Sequence, residues 1–486
     1  MLQGTGSDVG KSLLTAAMCR LAVRRGLSVA PFKPQNMSNN AAACPAGGEI
    51  GRAQAFQALA AGLDPHTDMN PVLLKPETDR TAQVVLQGRP LEAMEAAEYM
   101  ASRDRLMAPV MESFERLTER FDLILVEGAG SPAEVNLRQR DIANMGFARR
   151  AGVPVCLIGD IDRGGVIASL VGTKMVMERS DAAMVTSFLV NKFRGNMRLF
   201  DDGMTAIEEH TGWPCLGVIP WLKSASRLPA EDAVALDGAQ DVSAHGLKIA
   251  APMLSRMANF DDADPLRMEP GIAFQWVPPG QPIPRDADVI ILFGTKSTIG
   301  DLRFVREQGW HHDIIAHARA GGRVLGLCGG YQMLGRTIAD PDGVDGAPGQ
   351  ADGLGLLDVQ TIMQTQKQVA PVQATCALTS APIFGYEIHM GATEGPDTER
   401  PFALLDGVPE GARSANGLIE GSYLHGMFTS DAFRRLWIAR MGGQASEELS
   451  YNAEVEAALD DIADEVQAAV DVDAFFAKSR APGWSP

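Results

Sequence analysis

The chain has 486 residues, 45% hydrophobic and 21% charged, with 43 Lys and Arg against 61 Asp and Glu for a formal net charge of −18. That length gives two large units or about three smaller ones; the ordinary apolar fraction excludes a disordered or collagen-like chain, and a pI near 4.9 argues against a general nucleic-acid binder. Six scattered cysteines without a Cys-x-x-Cys pair indicate neither a zinc nor a disulfide framework, and no leader-like start or long apolar stretch is visible, so the expectation is a cytoplasmic protein with no nucleic-acid or membrane partner.

The first element is Gly4-Thr-Gly-Ser-Asp-Val-Gly-Lys-Ser12. It reads as a phosphate loop, in which backbone N–H groups and a helix N-terminus cradle phosphates, Lys11 neutralises charge and the Ser12 hydroxyl meets Mg²⁺. Thr5 stands where the strict spacing wants a glycine, and Gly4 lies one residue earlier. A strand of at most Met1-Leu2-Gln3 precedes it, and an amphipathic helix follows over 13–24. The strand-like run 27–31 aims Lys33 at the expected crevice, and Lys75 in Asn70-Pro-Val-Leu-Leu-Lys-Pro76 is expected to aim there too, which suits an anionic reactant. Apolar runs at 121–126, 153–158 and 187–190 read as buried parallel strands. Each ends in a polar loop: Glu127-Gly-Ala-Gly130, Asp160-Ile-Asp-Arg-Gly-Gly165 and Asn191-Lys-Phe-Arg-Gly195. Ligands of open α/β sheets collect at the carboxyl ends of the strands, so the three loops converge on one site. Glu127 there is a candidate Mg²⁺ carboxylate.

Residues 1–230 form the first domain in this reading, and the acidic, small-residue stretch 231–246 is a linker. A second α/β unit over 247–440 has strands near 247–251, 288–293 and 323–327. The last of these runs into Gly326-Leu-Cys328-Gly-Gly330, a strand-turn-helix elbow with cysteine as nucleophile, and a following helix N-terminus favours the thiolate. His425 is the expected general base and His389 its rival. Gly294 and Gly329 are candidates to offer oxyanion N–H groups. His311, His312 and His317 read as surface residues, because no cysteine or acid cluster closes a metal site with them. In the tail, 441–486, Val455, Leu459, Ile462, Val466 and Ala469 mark one face of a docked or dimerising helix, which leaves a homo-oligomer open. Ten acids and no Lys or Arg lie between 444 and 477, so more than half of the net charge belongs to the tail.

A phosphate loop in one half and a Cys/His elbow in the other suggest ATP-driven, glutamine-dependent amidation. The chain resembles the cobyric acid synthase family through Gln3-Gly-Thr-Gly-Ser-Asp-Val-Gly-Lys-Ser12, Pro31-Phe-Lys-Pro-Gln-Asn-Met-Ser38, Gly48-Glu-Ile-Gly-Arg-Ala-Gln54, Met69-Asn-Pro-Val-Leu-Leu-Lys-Pro76, Val126-Glu-Gly-Ala-Gly-Ser-Pro-Ala-Glu134, Asp141-Ile-Ala-Asn-Met-Gly146 and the elbow. Its first half is also similar to dethiobiotin synthetase, which has the same offset glycine, and its second to class I glutamine amidotransferases. The resemblance implies a P-loop NTPase-like parallel-sheet domain followed by a glutamine amidotransferase α/β domain. It also implies amidation of the b, d, e and g carboxylates of adenosylcobyrinic acid a,c-diamide, with a corrinoid polycarboxylate, glutamine and ATP as reactants and Mg²⁺ as cofactor. By family position Gly4, Thr5, Gly10, Lys11, Ser12 and Asn191 would bind ATP, with Asn191 facing the adenine. Ser12, Glu49 and Glu127 would hold the metal, while Lys33, Asp160, Asp162 and Arg163 would line the substrate side. One departure is Met427, where many class I glutaminases carry an acid two residues after the histidine; Glu387 or a backbone carbonyl is expected to orient His425 instead. The rival readings are cobyrinic acid a,c-diamide synthase, and a regulatory or partitioning P-loop ATPase with a binding-only glutaminase-like domain. An intact Cys328 and His425 argue against the second.

Overall fold

The computed structural model describes residues 1–77, 81–228, 240–241, 246–346 and 348–486, without the side chains of 92–98, 100–104 and 240–241. The first domain contains β1 (Leu2–Gly4), α1 (Lys11–Arg24), β2 (Val29–Phe32), α2 (Arg52–Ala60), β3 (Leu123–Val126), β4 (Val155–Asp160), β5 (Val185–Phe193) and β6 (Cys215–Pro220). Two parallel ladders, β2-β3 and β1-β4-β5-β6, meet at a parallel bridge between Leu2 and Glu127. Short as it is, β1 is wholly buried and pairs along its length with β4. Residues 155–158 and 188–190 are apolar without alternation, as expected of a parallel sheet covered on both faces, which has no polar side to alternate with.

The second domain contains β7 (Leu247–Pro252), β8 (Ile272–Val277), β9 (Val289–Leu292), β10 (Arg323–Leu327), α3 (Gly329–Leu334), β11 (Gln360–Cys376), β12 (Pro382–Glu394), β13 (Ile419–Ser422) and β14 (Leu424–His425). Its parallel core runs β8-β7-β9-β10-β13. Of the expected linker, 231–239 and 242–245 lie outside the described residues, whereas Gln240 and Asp241 pair antiparallel with β8. The long β11–β12 hairpin forms a separate sheet, and β14 pairs with β12 so that His425 stands opposite Tyr386.

The domains share a small apolar interface, with Ala41, Ala43, Leu73 and Val85 of the first packed on Tyr386 and Ile388 of β12. The acidic tail forms α4 (Tyr451–Ala469), which docks on α1. Leu459, Ile462, Ala463 and Val466 are buried in one core with Leu14, Met18 and Leu21. The acids on the outer side meet arginines of the first domain: Arg20 pairs with Glu456, and Arg24 with Asp460 and Asp464. Among the described residues no helix is long and apolar enough to cross a membrane.

Candidate active site

The elbow joins β10 to α3. Cys328 takes φ 51° and ψ −111°, a conformation disfavoured for a side chain with a Cβ, and its amide is anchored on the Ser422 carbonyl at 2.8 Å. The tight turn leaves no room beside it: a Cβ on Gly330 would lie 2.0 Å from the Leu292 carbonyl oxygen. Strain of this kind persists where the surrounding fold enforces it, and it holds the thiol at the mouth of the helix.

His425 comes from β14, one strand beyond the β13 end that anchors the elbow. Its ring lines one cavity with Cys328, whose thiol donates to the Ile388 carbonyl at 3.5 Å; its Nδ1 meets Asp262 Oδ2 at 2.7 Å, and Asp262 Oδ1 accepts from the Gly426 amide at 2.5 Å. Tyr386 stacks on the imidazole with centroids 5.4 Å apart. Burial pulls the ring's pKa down, but the Asp262 carboxylate and Cys328 outweigh it and push it up to about 10. Asp262 therefore orients His425. The sequence reasoning expected Glu387 or a carbonyl; Glu387 instead faces His389, 3.8 Å from its Nε2. A signal for Asp262 existed in Asn259-Phe-Asp-Asp-Ala-Asp264, three acids in four residues just after a buried strand.

His389 lines the same cavity as Cys328 and His425, but its ring stacks on Tyr423 and its Nδ1 meets the Gly391 carbonyl at 3.0 Å. Gly294 lies against both reacting groups: a Cβ there would sit 3.4 Å from His425 Cε1 and 3.6 Å from Cys328 Cβ. Gly329 opens α3 and lines the cavity with it. This cavity, about 50 Å³, is also lined by Lys75, Lys296 and Lys367. His311, His312 and His317 lie on the helix Trp310–Arg319, and no metal-holding group of His, Cys, Asp or Glu occurs among the described residues.

At the phosphate loop, Lys11 Nζ donates to the Gly6 carbonyl at 2.9 Å and the Gly130 carbonyl at 3.3 Å. Ser12 Oγ donates to Glu127 Oε1 at 2.7 Å, and Lys33 Nζ reaches the same oxygen at 2.8 Å. Burial works against charge on Glu127, yet Lys33, Gln57 and Ser12 outweigh it and hold the carboxyl below its ordinary range. Gly10 takes φ +94°, and a Cβ there would meet the Asn191 side-chain nitrogen at 2.3 Å. That amide donates to the Val9 carbonyl at 2.8 Å, so Asn191 holds the backbone of the loop. Gly10, Lys11, Ser12, Lys33, Glu127 and Gly130 open onto a cavity of about 600 Å³ that also includes Gln35, Asn36, Ser131, Leu137 and Arg138. Gly4 ends β1, where a Cβ would clash with Val9, and the Thr5 amide donates to the Ile158 carbonyl at 2.9 Å.

Five expected site residues lie elsewhere. Glu49 is not beside Ser12 and Glu127: its two carboxylate oxygens are taken by Lys75, at 2.8 Å, and by Lys367 of the other domain. These ammonium groups hold its carboxyl well below the usual range despite full burial. Besides Ser12 and Lys33, the side chains that reach Glu127 are Gln54 and Gln57 of α2, at 3.5 and 2.6 Å. Lys75, expected at the phosphate crevice, is buried with Glu49 and lines the Cys328 cavity instead. Asp160, Asp162 and Arg163 form ion pairs with Lys192, Arg194 and Asp8, at 3.0, 2.6 and 3.6 Å. They flank the loop on its Asp8 side and do not line the large cavity.

Two family models match the chain: the CobQ/CobB/MinD/ParA nucleotide binding domain over 1–235 and the CobB/CobQ-like glutamine amidotransferase domain over 248–433. A cobyric acid synthase of Hyphomonas neptunium is 65% identical over 484 residues, covering 100% of this chain and 98% of that protein. Cobyric acid synthases of Cereibacter sphaeroides and Bradyrhizobium diazoefficiens are 60% and 58% identical, each match covering 99% of both chains. With a nucleotide-binding domain, a glutamine amidotransferase domain and relatives of this identity over its whole length, the chain belongs to the cobyric acid synthase family.

Proposed function

We propose that this chain is a glutamine-dependent amidoligase that converts the b, d, e and g carboxylates of adenosylcobyrinic acid a,c-diamide into amides, giving adenosylcobyric acid at the expense of ATP. The observation that carries the reading is the Cys328–His425–Asp262 constellation at a strained elbow, in one chain with a phosphate loop whose Lys11, Ser12 and Glu127 face a much larger cavity.

Glutamine enters the small cavity, and Cys328 Sγ attacks its side-chain amide carbon. The proton on His425 passes to the leaving nitrogen, the C–N bond breaks, and ammonia and a thioester result. Asp262 keeps the ring in the tautomer and orientation that this transfer needs. His425 then takes a proton from water as it attacks the thioester, which frees glutamate and restores the thiol. Gly294 and Gly329, which both line this cavity, would offer their N–H groups to the oxyanion.

At the large cavity, Lys11 and the loop amides bind the phosphates of ATP, and an acceptor carboxylate takes the γ-phosphoryl group. Ammonia adds to the acyl carbon, and phosphate leaves with the C–O bond electrons. The donors at Ser12 and Glu127 are hard oxygens on a buried, charged carboxylate, which fits Mg²⁺. When bound, the ion would neutralise phosphate charge. Met37 and Leu137, both exposed, stand at the rim of this cavity beside Lys33 and Arg138. That mixture suits a ligand with an apolar ring and a fringe of carboxylates.

The test follows corrinoid amide formation by mass spectrometry with glutamine and with ammonia as donor. Cys328→Ala is expected to lose glutamine-dependent amidation and keep the ammonia-dependent reaction. Loss of both, or of neither, overturns the division of labour.

A further inference from the structure

The triad acid sits in a turn that the other domain holds in place. Asn259, at φ 53°, opens the turn and donates its backbone N–H to Asn40 Oδ1 at 2.8 Å; its side-chain amide donates to the Ala41 carbonyl, also at 2.8 Å. Two residues on, Asp261 is paired at 2.9 Å with Nε of Arg52, the first residue of α2. Asp262, the next residue, carries His425. So the nucleotide-binding domain grips the residues on the N-terminal side of the triad acid, once through the strand near Asn40 and once through α2.

The electrostatics show why a cation is needed there. Asp261, Asp262 and Asp264 are all buried. Facing them are Arg52, Arg267 and His425, with Tyr386 and Tyr451 contributing phenols. Burial and the neighbouring Asp262 push the Asp261 carboxyl upward, and Arg52 opposes them most, ahead of His425 and a backbone N–H. Without that cation a carboxylate buried one residue before Asp262 is left without its ion-pair partner, and the turn that presents Asp262 to His425 loses its tie to α2.

We propose that Arg52, a residue of the nucleotide-binding domain, is a positioning residue for the glutaminase triad: by pairing with Asp261 it fixes the 259–262 turn and, with it, the place of the Asp262 carboxylate against His425. The inference rests on the glutaminase reading above. It makes the second domain's chemistry dependent on a side chain of the first, on the same helix whose Gln57 bonds Glu127 and the Ser12 carbonyl.

The experiment uses the full chain and measures glutamate release from glutamine, with ammonia-dependent amidation on the same preparations. Arg52→Gln is expected to lower kcat for hydrolysis about 10- to 100-fold with a smaller change in KM. Arg52→Lys should recover most of the rate. Asp261→Asn in the Arg52→Gln background should recover part of kcat, since a neutral side chain needs no counter-charge. Unchanged hydrolysis in Arg52→Gln overturns the proposal. So does a double variant no better than Arg52→Gln, and if Arg52→Gln loses ammonia-dependent activity as well, Arg52→Lys decides by the same criterion. Failure of the glutaminase reading itself looks different: wild type and Cys328→Ala would release glutamate equally.

Discussion

The two cavities differ in how their reactive groups are held. Around Cys328 the histidine has its acid, the acid has its backbone donor, and the space is about 50 Å³. Around Lys11 the space is about 600 Å³, and the charged groups hold one another: Lys33 and Ser12 both lean on one oxygen of Glu127. A small, fixed site suits one amide bond that must be met at one angle. A wide site whose charges are paired with each other suits a bulky anionic acceptor, whose carboxylates can be offered in more than one pose while the phosphate contacts stay constant. In the proposed reaction, specificity for the nitrogen donor is therefore built into side-chain geometry, and tolerance of four acceptor carboxylates is built into volume.

The comparison breaks most sharply at Lys11. Lys11→Ala is expected to abolish amidation with either nitrogen donor, by more than about 10³-fold if phosphate binding and transition-state charge both fail, while glutamine hydrolysis continues. Parallel assays of glutamate and corrinoid amide on one preparation check this; loss of hydrolysis would mean that the two sites are not separable. Next is Asp262→Asn, which should cost about 10²- to 10⁴-fold in glutamine hydrolysis. His425 stays protonated through neutral pH because the carboxylate outweighs burial. Without that charge the burial effect prevails, so the alkaline limb of kcat/KM should move to lower pH. Glu387→Gln, on the side chain that faces His389, should leave both rate and profile unchanged.

What was legible in the sequence is what lies within one turn or one strand-to-loop step. The phosphate loop and the elbow are contiguous strings whose glycines are required by backbone geometry, and the structure forms both. Asp262 lies 163 positions from His425, and nothing local in either segment records that contact; it arises because the turn after β7 and the start of β14 meet at the same end of the sheet. Glu49 is expected at the metal by family position alone, and Lys75 at the phosphate crevice from its place in Asn70-Pro-Val-Leu-Leu-Lys-Pro76. The pairing of strand Glu49–Gly51 with Ala41–Ala43, and of Lys75 with Gln83, carries them instead to the domain interface, where Lys367 arrives from a hairpin more than 300 residues on. The amphipathic period of the tail predicted a buried face correctly, but its partner, α1, is set by tertiary packing alone.

That tail offers the smallest effects and refines how the wide cavity is supported. Helix α1 carries Lys11 and Ser12 at its start, and α4 covers it farther along through an apolar core with ion pairs at the edge. Ile462 has no exposure, so Ile462→Ala should cost about 2–5 kcal/mol of stability through lost burial and a residual cavity. Arg24→Ala removes pairs whose acids are 49% and 70% exposed; solvent screening limits its cost to less than about 1 kcal/mol, and that difference should shrink further in high salt. Urea unfolding followed at two salt concentrations measures both. If the arginine change outweighs the isoleucine change, the tail is held by its charge, and α1 would loosen with ionic strength. The expected order means that ten acids can lie along the phosphate-loop domain while the placement of Lys11 depends on apolar contact and not on them.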